Sequence, residues 1–487
     1  MAHDPLLFKT ATELARLVKT REVSCFELMS ACLRQTAQVN PRVNAMCTLV
    51  IDQAVDQAKA ADTFLRKQGS KAETGPLFGL PVGIKDLQVT AGIRTTFGSP
   101  IYRDFVPTED SLIVQRYKTA GAIIVGKTNT PEFGAGSHTF NQVFGKTLNP
   151  YDLSKTCGGS SGGSAVALAC GMVPLASGSD LGGSLRNPAA WNNVVGLRPS
   201  IGRVPRRPNS LGWSSLSVDG PMARNVPDIA LQMSVLAAPD ASAPLSLQED
   251  PSVFGTRLEW DAKTGRPVGL SKAGRRTRIA WSRDLGRYPI DRAVTKVVDS
   301  QRAAFESIGC EVEDASPDLS DADEIFQAYR AYSFAQQHET HLRDHRDKLK
   351  QTVIWNTEQG MKLTALDFAH AEEKRTRLYQ RAVEFFSRYD FLVTPTTSVP
   401  PFDVNVEYVS EINGIKLKTY IDWFAICYAI SVTGFPSISV PAGFTESGLP
   451  VGLQIVGGPM QDWPVIQLAA AYERATRIGD RRPALAP

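Results

Sequence analysis

The sequence predicts an α/β protein in which short buried strands alternate with helices. Two observations predict it. From Gly79 to about Gly202 the apolar residues come in short runs (LPVGI, AIIVG, VPLASGS and VVGLR) separated by glycine-rich turns, the pattern of buried strands in an α/β sheet. Ahead of that region, Thr10 with Glu13 and Ser24 with Glu27 have the spacing of a hydroxyl and a carboxylate that together satisfy the first free N–H groups of a helix.

The first capped helix follows Thr10. The second carries Phe26, Leu28, Met29, Cys32 and Leu33 and is predicted to stop near Asn40-Pro41, and a third covers Ile51 to Gln68. These helices make up residues 1–70, and the strand-rich core occupies 71–230. Residues 237–276 are rich in Pro, Ser, Gly and charge and read as a long surface connection. Within 277–487, residues 290–350 and 363–388 have helical periodicity, whereas 391–397, 436–443 and 450–458 read as buried strands, and a last helix runs from about Trp463 to Arg477.

Composition bounds the function. At 487 residues with 43% hydrophobic and 21% charged content, the chain is an ordinary globular one whose length alone suggests two to four domains. The formal charge of +3 is spread along the chain, which argues against nucleic acid or an anionic membrane as partner. Seven cysteines without a C-x-x-C spacing read as reduced thiols in a cytoplasmic protein. The N-terminus lacks the pattern of a secretory signal. No run approaches the ~18 apolar residues of a membrane span, and the best candidate, Ile430 to Val440, is broken by Gly434 and Pro436.

Two serines embedded in glycines stand out. Ser160 lies in GGSSGGS and Ser184 in GSDLGGSLRNP, 24 residues apart. Glycine suits places where a ligand must approach bare peptide N–H groups, and an apolar stretch after the first cluster reads as a helix opened by that loop. Upstream, Lys85 is a lone cation in GLPVGIKD; on a strand, Leu80, Val82 and Ile84 take one face while Pro81, Gly83 and Lys85 take the other. Competing readings are weaker. Gly159 to Gly163 formally fits G-x-S-x-G, but none of the six histidines lies in the late strand-to-loop setting that this mechanism needs. His338, His341 and His345 share a helix face, yet the charged segment HETHLRDHRDKLK predicts a solvated face rather than a metal site. No phosphate-binding glycine loop is present, and a catalytic role for Cys157 or Cys170 is disfavoured against buried, structural thiols.

GIKD, GKTNTPEFG, GGSSGGS and GSDLGGSLRNPAA, in that order, together with the later PSISVPAGF and GLPVGLQIVG, resemble the amidase signature family. The resemblance implies one domain over 1–487, with a central mixed β-sheet covered by helices on both faces and completed by the late strands. It implies Ser184 as nucleophile, Ser160 as proton shuttle on a cis Gly159–Ser160 peptide, and Lys85 as base. Burial lowers a lysine's pKa toward the range where the amine is neutral. The oxyanion hole is expected from the amides of Leu181, Gly182, Gly183 and Ser184, with Ser161, Asp180 and Arg186 holding the two loops. Trp355, Trp423, Phe424 and Tyr428 are expected to line an apolar or aryl substrate pocket. The family further implies a small-molecule amide as substrate, no cofactor or metal, and a homodimer. Two alternatives stay open: a glutaminase-type subunit of an aminoacyl-tRNA amidotransferase, and a carbamate or ester hydrolase of the same family.

Overall fold

The computed structural model describes residues 4–263, 265–267 and 276–486. Thr10 caps α1 (Ala11–Lys19), its hydroxyl accepting the Glu13 N–H. Ser24 and Glu27 close a reciprocal capping box on α2 (Cys25–Val43), and α3 spans Ile51–Gln68 as expected. α2 does not stop at Asn40-Pro41. It continues to Val43 because proline in a last turn forfeits only one helix bond. The helix is then ended by Asn40, whose Oδ1 accepts the amides of Ala45 and Met46 at 2.9 and 2.8 Å.

Among the described residues, eleven strands build one mixed sheet. They are β1 (Met46–Leu49), β2 (Pro81–Lys85), β3 (Ile123–Thr128), β4 (Leu175–Asp180), β5 (Val195–Arg198), β6 (Val218–Ala223), β7 (Arg278–Trp281), β8 (Glu311–Asp314), β9 (Phe391–Pro395), β10 (Ser437–Phe444) and β11 (Pro450–Gly457). Their spatial order is β1-β3-β2-β4-β6-β5-β10-β11-β9-β7-β8. β3, β2 and β4 run parallel, as do β9, β7 and β8. The middle pairings, from β4–β6 to β11–β9, are antiparallel. The far end of the chain therefore completes the sheet, with Ser437 of β10 opposite Arg198 of β5. Helices flank this sheet, among them α4 (Gly162–Ala169), α5 (Arg186–Trp191), α6 (Ala322–His345), α7 (Gln351–Lys362), α8 (Ala365–Arg388), α9 (Ala425–Ser431) and α10 (Asp462–Thr476).

The strand runs read from the sequence correspond to β2, β3, β4, β5, β9, β10 and β11. β6 escaped because Asp219, Gly220 and Pro221 break its apolar pattern. β8 (EVED) lies inside the stretch assigned to helix, so 290–350 is not continuously helical. Alternation failed there because an edge strand is solvated and carries charge. Of the connection at 237–276, residues 264 and 268–275 lie outside the described residues. Its described part is anchored rather than simply laid on the surface: Phe254 is buried edge-on against Trp463, and the Trp260 indole donates to the Ile308 carbonyl at 2.8 Å.

Candidate active site

Lys85 ends β2, and its amide donates to the Ser177 hydroxyl on neighbouring β4 at 3.0 Å. The side chain is fully buried. Its Nζ meets three hydroxyls: Ser160 Oγ at 2.7 Å, Ser161 Oγ at 2.9 Å and Ser179 Oγ at 3.0 Å. No carboxylate pairs with it among the described residues. Burial therefore dominates and pulls its pKa down to about 7, against the opposing pull of Asp219 and Asp180 and with a small reinforcement from Arg206.

Ser160 and Ser161 sit in the turn that opens α4, and the Gly159–Ser160 peptide is cis. The turn is pinned from outside by Ser137, whose hydroxyl donates to the Gly159 carbonyl at 2.7 Å, and by Thr139, which donates to the Gly158 carbonyl at 2.7 Å. Gly163 lets the start of α4 press against backbone: a Cβ there would stand 2.3 Å from the Asn129 nitrogen.

Ser184 lies in the turn between β4 and α5. Its carbonyl accepts the Ser161 amide at 3.2 Å, which ties the two serine loops together. Asp180 shapes this turn by accepting the amides of Gly183 at 2.7 Å and Leu185 at 3.2 Å. That carboxylate is held between two buried guanidiniums, those of Arg186 and Arg198, each 3.1 Å away. Burial alone would push the Asp180 carboxyl up; the two guanidiniums overcome it and hold the group well below the usual carboxylate range. Arg186 also reaches the Cys427 carbonyl, Gln454 and Ser431, so the turn is locked to β11 and α9.

Ser160 and Ser184 face one cavity of about 360 Å³, together with Leu181 and Gly182. The amides of Leu181, Gly182 and Ser184 donate to no group among the described residues. The expectation for Gly183 is corrected: its amide is taken by Asp180, three residues earlier, and does not point at the cavity. Gly182 must be glycine, because a Cβ would fall 2.6 Å from the Phe326 ring.

Of the four aromatic residues expected to line the pocket, Phe424 does. The other three are corrected. Trp423 stacks on Trp191 in the core at 5.5 Å, Tyr428 stacks on Phe326 at 4.2 Å with its hydroxyl on Asp323, and Trp355 meets Tyr420 edge-on. Phe97, Phe133 and Phe334 supply the aromatic wall instead. The expectation of a solvated histidine face fails for His338, which is buried in that wall, 3.2 Å from His341 through their Nδ1 atoms. Burial drives its pKa down to about 3. No metal-binding group of three or more His, Cys, Asp or Glu side chains occurs among the described residues. Cys157 and Cys170 are buried free thiols pushed up to about 12, the state of an unreactive cysteine.

Sequence reasoning missed Ser179, the third hydroxyl on Lys85, and Arg198, the second counter-ion of Asp180. Both left a signal. Ser177 and Ser179 alternate within an otherwise apolar strand run, and Arg198 closes the apolar run VVGLR, where a buried cation requires a partner.

A model of the family described as amidase matches residues 27–466. The chain belongs to the amidase family. This amidase is 33% identical over 487 residues to an acylamidase of Rhodococcus erythropolis, covering 99% of both chains. It is 34% identical to a glutamyl-tRNA(Gln) amidotransferase subunit of Symbiobacterium thermophilum, covering 98% of each. Among solved structures, a bacterial aryl acylamidase of the amidase signature enzymes superposes with a TM-score of 0.88 at 28% identity, covering 98% of this chain and 99% of that one. Hydrolysis at a C–N bond is the activity class that follows. No helix of the described residues is long and apolar enough to cross a membrane.

Proposed function

We propose that this amidase is a cytoplasmic, free-standing hydrolase that converts a carboxylic amide to the acid and ammonia or an amine through an acyl-enzyme on Ser184. The observation that carries the reading is the buried Lys85 Nζ, 2.7 Å from Ser160 Oγ with no carboxylate partner among the described residues and its pKa pulled down by burial to about 7, with Ser160 and Ser184 on one cavity.

In this scheme neutral Lys85 Nζ takes the Ser160 proton as Ser160 Oγ takes the proton of Ser184. Ser184 Oγ attacks the amide carbon, and the charge on the carbonyl oxygen falls to the amides of Leu181, Gly182 and Ser184, each such donor being worth about 10²–10³ in rate. The proton returns along Lys85 and Ser160 to the departing nitrogen. Water then repeats the sequence on the acyl-enzyme, regenerating Ser184. Ser161 and Ser179 hold the lysine in line from its other sides. No cofactor is needed. Phe97, Phe133, Phe334 and Phe424 offer an apolar or aryl group a seat, and esters, with a better leaving group, are expected to be cleaved by the same machinery.

The amidotransferase-subunit reading is favoured by the relative that bears that name.

A fluorophosphonate probe with peptide mapping tests the proposal. Labelling of Ser184 in the isolated protein, lost in Ser184→Ala, is the expected result. Labelling elsewhere overturns the nucleophile assignment, and labelling that requires a partner protein favours the amidotransferase reading.

A further inference from the structure

The cavity is electrostatically lopsided. Its lining holds three guanidiniums, those of Arg206, Arg207 and Arg330, and one carboxylate, Asp219. Asp219 belongs to Arg206, 3.5 Å away, and Arg207 reaches outward to the Gln115 side chain. Arg330 is left. It is only 4% exposed, and its Nε and Nη2 donate to two neutral groups, Asn356 Oδ1 at 3.1 Å and the Tyr420 hydroxyl at 2.7 Å. No carboxylate among the described residues pairs with it, whereas Arg186, Arg198 and Arg203 in the same molecule each have one. The guanidinium rests over the Phe334 ring at 4.7 Å and the Tyr420 ring at 5.8 Å, contacts that offset part of its burial, but it lines the cavity with no carboxylate of its own, which favours an anionic ligand.

Its place on α6 says which part of the substrate it would meet. Phe326 presses its ring on Gly182 of the oxyanion turn, and Arg330 follows one helical turn later on the same face, with Phe334 and His338 continuing the stripe along the cavity. Four residues advance a helix by about 6 Å. We infer that Arg330 is a carboxylate-binding subsite, so that the substrates of this amidase are amides carrying a second, anionic carboxylate a few carbons from the scissile carbonyl. This rests on the amidase reading and adds a substrate class to it. The aromatic wall then packs the apolar body of such a molecule while Arg330, its Nε and Nη2 held by Asn356 and Tyr420, meets the charged end.

The test is calorimetric binding to the otherwise intact Ser184→Ala protein, so that nothing turns over, with two matched probes: glutaric acid monoanilide, which carries the carboxylate, and pentananilide, which does not. The acid is expected to bind at least ~10-fold tighter, with the preference shrinking as salt is raised. Arg330→Gln is expected to bring the ratio of the two affinities to about one, and Arg330→Lys to restore part of it, a rescue that a merely structural arginine does not give. Equal affinities in the Ser184→Ala protein overturn the subsite even if Arg330→Gln fails to fold, as does a preference that survives in Arg330→Gln. Failure of the amidase reading is read separately: fluorophosphonate labelling of Ser184 without a carboxylate preference removes only the subsite, and a preference without labelling removes only the nucleophile.

Discussion

Lys85 and Asp180 are both fully buried and lie on neighbouring parallel strands, yet the protein treats their charges in opposite ways. Asp180 is flanked by Arg186 and Arg198 and capped by two amides, so it stays ionised and its turn is fixed. Lys85 is surrounded by three hydroxyls and no carboxylate, so it is poised to lose its proton near neutrality. The contrast separates a charge used to hold a shape from one used to move a proton. Burial is common to both; the partners decide.

The largest effect that tests this contrast is on the attacking group. Ser184→Ala is expected to lower kcat by about 10⁴-fold or more while leaving the melting temperature nearly unchanged. Lys85→Ala should follow, with a loss of about 10³–10⁴ at pH 7 and the fold retained on circular dichroism. Unaltered turnover there would remove the base assignment. Asp180→Asn should act through stability instead: it leaves two buried guanidiniums without their counter-charge, a cost of about 3–5 kcal/mol in a denaturant titration. If Asp180→Asn melts like the parent but is inactive, the carboxylate belongs to the chemistry and the division between the two groups fails. Ser160→Ala is expected to lower kcat by about 10²–10³, less than Ser184→Ala, since water can bridge part of the gap. Ser161→Ala, which removes one of three hydroxyls around Lys85, should cost no more than about tenfold.

The two centres also differed in how legible they were. Lys85, Ser160 and Ser184 stood out because the glycines that let backbone and ligand approach are adjacent in sequence to the serines they serve. The partners of Asp180 were half visible, Arg186 lying six residues away and Arg198 on a different strand. Gly183 was misread because its amide could serve either the cavity or the preceding carboxylate, and only the turn geometry decides. The pocket was least legible. Trp423 and Tyr428 belong to a buried helical segment of which Phe424 reaches the cavity, so aromatic content alone did not say which side faces it. Phe326, Arg330, Phe334 and His338 have four-residue spacing in the sequence, but only the packing of α6 shows that Phe326 meets the Gly182 turn while Arg330, Phe334 and His338 line the cavity. The edge strand β8 escaped for a simpler reason, its charges being those of a helix surface.

The account rests on a lysine that is neutral at working pH, and the pH dependence of kcat/KM for an activated anilide addresses it most directly. A depressed Lys85 must be deprotonated to act, so activity is expected to be lost as pH falls through about 7 and to be flat above it, with the limb absent from the residual activity of Lys85→Ala. A limb that persists in Lys85→Ala, or one that rises only toward the ordinary lysine value of 10.5, would contradict the central claim.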